Sequence, residues 1–297
     1  MQFRGGILIK TARGTNAMND TMREYLSYGK MIVPMMIVRR KIIPEKVRWG
    51  DKDQYFSFFP APERKNNTLV IYINGGGWQS NSPKNHFFIG QKIAENGSDC
   101  VMFSYRKAPK YSYSEISDDI FSNYSELDRY MKKTGRSYPK RIVMGASAGA
   151  HLAAMLCFDK ERKTACGISD SDINGLISMA GPLCFAQPMT NAMISLLTTL
   201  FKSKDREKWK IGEPYNMLYP IPCFETHLIQ SRHDGLVGFE QAERYTDKVR
   251  KLGMKAALYE VTDKWDTHSA YCVGSFLLDR KRSDTLDKAL SVIESFG

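Results

Sequence analysis

From Lys140 to Phe158 the chain reads KRIVMGASAGAHLAAMLCF. An apolar run containing Ile142 and Val143 meets five small residues, Gly145-Ala146-Ser147-Ala148-Gly149, and passes into an alanine- and leucine-rich segment. The first part reads as a buried strand and the last as a helix, so the small residues form a tight strand-to-helix turn with one polar side chain at its apex. Two readings are open here. Small residues let a helix pack closely on a sheet, with Ser147 incidental. Alternatively, Ser147 is a nucleophile raised on the turn, with glycines two positions before and after it to avoid steric conflict. A lone Gly-x-Ser-x-Gly is short enough to arise by chance, so the rest of the chain decides.

Outward from that turn, strand and helix patterns alternate. Lys46 to Pro60 reads as a hairpin with a Gly-Asp turn, at a sheet edge. TLVIYI (Thr68 to Ile73) is a continuous apolar strand of the kind covered on both faces. A helix over Pro83 to Asn96 stops at Gly97, DCVMFSY is the next strand, and a helix runs from Tyr113 to about Lys133, closing near Gly135. Beyond the Ala148 to Phe158 helix come strands in INGLISMAG and CFETHLIQS, a helix from Gly238 to near Gly253, a strand in KAALYEV and a last helix over Asp284 to Phe296. This order predicts an α/β fold, a mostly parallel sheet with helices on both faces. Two segments fall outside the alternation: the first forty-odd residues, with helical NAMNDTMREYLSYGKMIV, and Pro182 to Pro222, with NAMISLLTTLF. Both are expected to cover strand ends, as segments 1–44 and about 182–222 around a domain spanning 45–297.

At 297 residues, 42% hydrophobic and 25% charged, the chain can build a sizeable core. Its best apolar run, MIVPMMIV, is too short to span a bilayer and contains a proline, so no membrane partner is expected. It also starts at Met31, behind a mixed polar segment, which argues against a signal peptide. The six cysteines stand singly without a CxxC pair, which points away from a zinc site and toward reduced thiols in a cytoplasm, each read as a buried small hydrophobe. No metal or other cofactor is expected. The formal charge of +11 raises nucleic acid as a partner, but basic residues are scattered and mixed with acids, as in FKSKDREKWK. A solvated basic surface fits better, and an anionic substrate stays possible in principle.

Candidate chemistry gathers at strand C-terminal ends. The strand LVIYI runs into Asn74-Gly75-Gly76-Gly77-Trp78, whose bare backbone N–H groups suit an oxyanion. One or two glycines would serve a mere turn. Of the five histidines, His151 lies one helical turn beyond Ser147 and points away from the apex, and His227 sits inside an apolar strand as a core residue. His86 is placed to line the entrance. His233, beside Asp234, and His268 both follow strands. Adjacent residues seldom face each other, so Asp234 pairs better with His268 than with His233.

These pieces, in this order, resemble the α/β-hydrolase superfamily, and most closely its hormone-sensitive-lipase-like carboxylesterases, the BD-FAE-type group and kynurenine-formamidase-like enzymes. NGGGW resembles their HGGGW, and GASAGAHLAA their serine elbow. In SYRKAPKYSYSEISDD, the residues Tyr105, Arg106, Ala108, Pro109 and an acid at Asp118 or Asp119 resemble a further shared stretch, and HDGLVGFEQAERYTDKVRKLG the segment carrying the acid. The likeness covers about residues 45–297. It implies Ser147 as nucleophile, His268 as base and Asp234 as orienting acid, with oxyanion donors from Gly76, Gly77 and Ala148 and a substrate contact at Trp78. Asn74 stands where the family has histidine, and Ala150 where the elbow has a second glycine. Asn74 is expected to hydrogen-bond to the glycine loop in its place.

The resulting expectation is a serine carboxylesterase for short acyl esters, working through an acyl-enzyme on Ser147. The alternatives are an amide-cleaving hydrolase of the same fold, such as an arylformamidase or small peptidase, and a hydrolase fold kept as a non-catalytic binding protein. The partner is a small-molecule ester rather than nucleic acid, and assembly into a homo-oligomer is left open.

Overall fold

The computed structural model describes residues 16–185, 188–277 and 283–297. Of the expected N-terminal and inserted cover segments, residues 1–15 and 186–187 lie outside the described residues. Eight strands, β1 (Glu45–Arg48), β2 (Tyr55–Phe59), β3 (Thr68–Ile73), β4 (Cys100–Phe103), β5 (Lys140–Ala146), β6 (Gly175–Met179), β7 (Glu225–Gln230) and β8 (Lys255–Glu260), form one sheet in the order β1-β2-β4-β3-β5-β6-β7-β8. β1 and β2 pair antiparallel, as do β2 and β4, while every pairing from β4 through β8 is parallel. The hairpin therefore sits at the edge its sequence suggested.

Among the described residues ten α-helices accompany the sheet: α1 (Asn16–Ile37), α2 (Phe87–Glu95), α3 (Tyr113–Thr134), α4 (Ala148–Phe158), α5 (Lys160–Ala165), α6 (Asn191–Phe201), α7 (Pro214–Met217), α8 (Phe239–Lys251), α9 (His268–Cys272) and α10 (Asp284–Glu294). The apolar strands are buried on both faces because the side-chain period of two feeds two cores. Leu69, Ile71 and Ile73 of β3 join the cluster that includes residues of α3, α4, α6 and α8, whereas Val70 and Tyr72 join the one that includes residues of α2 and α10. Each fully buried aliphatic or aromatic side chain contributes about 1.5–3 kcal/mol. Helix α4 is buried along its whole length, in keeping with a run of small and apolar residues broken only by His151.

Helix boundaries follow local chemistry. Ser112 and Glu115 form a capping box at the start of α3, and Gly135 closes the helix in the left-handed region. α2 begins at Phe87, later than the expected Pro83, after a turn in which His86 N–H bonds to Ser82 O. The short helices α5, α7 and α9 were not anticipated; four to six residues give too little periodicity to detect. Cysteine burial is also corrected in part. Cys100, Cys157, Cys184 and Cys272 are buried as small hydrophobes, but Cys166 and Cys223 are exposed in turns. Among the described residues no helix is long and apolar enough to cross a membrane.

Candidate active site

The end of β5 and the start of α4 hold Ser147 in a conformation few side chains adopt, with φ 53° and ψ −124°. Such backbone costs about 1–3 kcal/mol and persists where the surroundings fix it. Here Ser147 N–H bonds to Met179 O at 2.8 Å, and Ser147 O accepts from Ala150 N and His151 N at 2.9 and 3.2 Å. The flanking glycines are demanded by close approach. A Cβ at Gly145 would lie 2.3 Å from Gly149 O, and one at Gly149 would lie 2.1 Å from Ile73 O. The helix thus enters against the β3 end with no room for a methyl group. Ser147 itself is half-buried.

His268 opens α9, just past β8, and its Nε2 lies 2.8 Å from Ser147 Oγ. Its Nδ1 lies 2.8 Å from Asp234 Oδ2 and 3.0 Å from Oδ1. Asp234, just past β7, is fixed in turn: Oδ1 accepts from Leu236 N and Val237 N at 2.9 and 2.8 Å, and Oδ2 from Tyr271 Oη at 2.6 Å and Gln230 Nε2 at 3.2 Å. Tyr271 and Gln230 escaped sequence reading. Tyr271 carried a usable signal, lying three residues after His268 and hence on the same helical side. Burial pulls the His268 pKa down, but the charge of Asp234, its hydrogen bond and the charge of Glu24 outweigh that and leave it raised.

The loop after β3 lies directly over Ser147: a Cβ at Gly75 would fall 3.2 Å from Ser147 Cβ and 2.6 Å from Ala146 O. Gly76 and Gly77 have φ of 121° and 58° and are partly exposed. Among the described residues, the N–H groups of Gly76, Gly77 and Ala148 make no hydrogen bond, so they are available to an acceptor near Ser147. Asn74, fully buried, donates from Nδ2 to Gly75 O at 2.9 Å, and its carbonyl accepts from Tyr105 Oη at 2.9 Å. The Asn74 side chain therefore does bond to the loop, as expected. Leu196 of α6 covers Gly77 from outside, where a Cβ would meet Leu196 Cδ2 at 2.8 Å.

Other expected positions fall elsewhere. Trp78 is 1% exposed, its Nε1 donating to His151 Nδ1 at 3.3 Å, so its ring packs in the core rather than lining an open surface. His151 completes that contact by donating from Nε2 to Gly212 O at 2.7 Å; burial lowers its pKa to about 4 and keeps it neutral. His86 does not line an entrance. It is 2% exposed, and burial followed by the nearby Lys107 charge lowers its pKa to about 4. His233 is exposed, and its backbone N–H bonds to Ser231 Oγ. Of the two acids left open, Asp119 is the one that holds Arg106, accepting from its backbone N and from Nε at 2.8–3.0 Å; Asp118 faces Arg162 at the surface. Among the described residues no cluster of His, Cys, Asp or Glu is placed to hold a metal ion.

Residues 70–213 match the family Abhydrolase_3, of alpha/beta hydrolase fold. An isoprenylcysteine alpha-carbonyl methylesterase of Arabidopsis thaliana is 22% identical over 282 residues, 87% of this chain and 62% of that protein. A kynurenine formamidase of Danio rerio is 31% identical over 100 residues, 33% of this chain and 32% of its own length. The probable carboxylic ester hydrolase LipM of Mycobacterium tuberculosis is 20% identical over 204 residues, 64% of this chain and 47% of its own. This chain thus spans between 32% and 62% of the length of these relatives. Among solved structures, a hyperthermophilic esterase from Pyrobaculum calidifontis superposes with a TM-score of 0.73 at 15% identity, covering 94% of each chain. Esterase B from Lactobacillus rhamnosis gives 0.71 at 15% identity, covering 94% of this chain and 95% of its own. At such identity the structures speak to the fold. The chain has the alpha/beta hydrolase fold, and the matched residues contain both the glycine loop and the serine elbow.

Proposed function

We propose that the protein is a serine carboxylesterase that cleaves short-chain acyl esters through an acyl-enzyme on Ser147. The observation that carries this reading is the unbroken chain of contacts from Ser147 Oγ through the His268 ring to Asp234, on an elbow facing unpaired backbone N–H groups. In the first half-reaction Ser147 Oγ attacks the ester carbonyl as His268 Nε2 takes its proton. Asp234 orients the ring and stabilises the imidazolium. The carbonyl oxygen, becoming an oxyanion, accepts from the N–H groups of Ala148, Gly76 and Gly77. His268 then gives its proton to the leaving alkoxide, so the alcohol departs. A water that loses its proton to His268 next attacks the acyl group, and Ser147 takes that proton back as the acid leaves. No cofactor enters these steps.

Preference for short acyl groups rests on Leu196, which crowds the loop at Gly77. A reducing cytoplasmic setting belongs to this reading, on the strength of the scattered cysteines. An arylformamidase is the second reading, favoured by the likeness to a kynurenine formamidase. The decisive experiment is fluorophosphonate labelling with mass mapping, followed by a panel of p-nitrophenyl esters and an N-formyl anilide. Label on Ser147 and highest kcat/KM on acetate or butyrate are expected. Ser147→Ala should lower turnover by about 10³-fold or more with unchanged circular dichroism. A mutant retaining most activity sinks the assignment, and faster cleavage of the formyl anilide selects the second reading.

A further inference from the structure

We propose that Glu24, on helix α1, is a positioning residue for the site, its carboxylate coupling the two loops that carry Asp234 and His268 and adding a second negative charge beside them. The proposal rests on the reading of Ser147, His268 and Asp234 as nucleophile, base and acid. Glu24 Oε1 accepts from the backbone N–H of His268 and, at 3.2 Å, from that of Gly235, the residue after Asp234; Oε2 accepts from Ser269 N at 3.4 Å. One carboxylate therefore bridges loops that leave two different strands, β7 and β8. His268 and Ser269 open α9, so their N–H groups have no partner within that helix and need one from outside. The neighbouring Arg23 grips the same loop two residues earlier, its Nη2 bonding to Asp266 Oδ1 at 2.7 Å.

The helix is built to deliver this group inward. Glu24 shares a helical side with Met31, seven residues on, which is 3% exposed and packs on Gly274 so closely that a Cβ there would lie 2.4 Å from Met31 Sδ. The opposite side leaves Leu26, Val33, Met36 and Ile37 exposed. An acid turned inward while aliphatic residues face out is costly unless the acid has fixed partners. Burial raises the Glu24 pKa, while the His268 charge and the His268 and Gly235 N–H groups oppose that rise and the Asp234 charge adds to it. Arg23 and Asp266 answer each other's charge, and two further groups of α9 are held neutral. Burial, then the charges of Asp234 and Glu24, push the Cys272 thiol well up, and burial with Asp234 does the same to the Tyr271 hydroxyl. Asp234 and Glu24 are thus the two charges that favour imidazolium at His268.

Three variants test this on short esters. Glu24→Gln keeps the size and loses the charge, Glu24→Asp keeps the charge and shortens the reach, and Glu24→Ala removes both. With lost charge, the pH midpoint of kcat/KM on its acid side should fall by at least about 0.3 unit in Gln and Ala and stay put in Asp. Turnover should fall about tenfold or more in Ala and Asp, with KM within about threefold of wild type, since orientation of the base rather than binding is lost. Melting temperature is followed in parallel. Unchanged midpoints in all three variants, with activity tracking stability alone, overturn the proposal and make Glu24 a fastener of α1. Wild-type turnover in all three while Ser147→Ala is inactive overturns it and leaves the esterase reading standing. An active Ser147→Ala removes both. Should Glu24→Ala fail to fold, the Gln and Asp pair still decides.

Discussion

At the scale of single residues, the sequence leaves two histidines past strand ends, and their surroundings differ sharply. His268 is 5% exposed and bonded on both nitrogens, whereas His233 is exposed and linked through its backbone. His268→Ala should therefore lower turnover nearly as far as loss of Ser147, because members of such a unit do not act independently. His233→Gln should stay within about tenfold, or roughly 1.4 kcal/mol in the barrier. A dead His233→Gln beside a near-normal His268→Ala reverses the assignment. The pH profile carries a sign as well. His268 accepts a proton only when neutral, and its pKa is raised. The acid limb of kcat/KM should then have its midpoint above the ordinary imidazole value of about 6.5, with activity lost as pH falls through it. A midpoint well below that value contradicts the electrostatics described for the Asp234 contact.

At the scale of elements, two glycines separate stability from rate. Gly149 presses on backbone: its Cβ would sit 2.1 Å from Ile73 O, and neither α4 nor β3 can retreat without opening the core. Gly149→Ala should cost on the order of 3 kcal/mol and lower the melting temperature by several degrees. Gly77 meets the far end of Leu196 instead, at 2.8 Å, and has φ 58°. Gly77→Ala should cost less stability, about 1–2 kcal/mol for the left-handed backbone, while reducing kcat by about tenfold or more, since an alanine there re-aims the loop N–H. Leu196→Ala in that background relieves the contact but not the backbone, so rescue should be partial. Full rescue identifies crowding alone as the cause. The same elements show what a sequence can convey. The boundaries of α4 and the strand alternation were legible because long apolar runs and glycine stops carry them. The meeting of Ser147, Asp234 and His268 was legible because each follows a strand. Glu24 was not: α1 lies outside every motif, and an acid on a helix normally reads as solvated until the loop it meets is known. Trp78 was misplaced for a related reason, since the loop reverses its ring into the core against His151.

At the scale of the whole molecule, 43 lysines and arginines meet 32 acidic residues, and many of the basic groups are locally answered, which leaves the excess of +11. Arg141 pairs with Asp128, Lys163 with Asp170, Arg162 with Asp159, and Lys255 with Glu225. Such pairs act over short range, and at physiological salt the Debye length is about 8 Å. What reaches an approaching substrate is therefore the excess, a diffuse positive field that salt can erase. The His268–Asp234 contact is shielded from that salt, because both side chains are buried. Two esters with the same short acyl group separate these effects, one neutral and one bearing a carboxylate on the alcohol side. As sodium chloride rises from about 10 to 300 mM, kcat/KM for the anionic ester should fall several-fold, while the neutral ester changes by less than about half. The kcat values should be flat for both, since the field acts on encounter rather than on proton transfer at His268. Parallel salt curves for the two esters would show that the excess charge builds no field at the mouth of the site, and kcat falling with salt would place a screened charge in the chemistry itself.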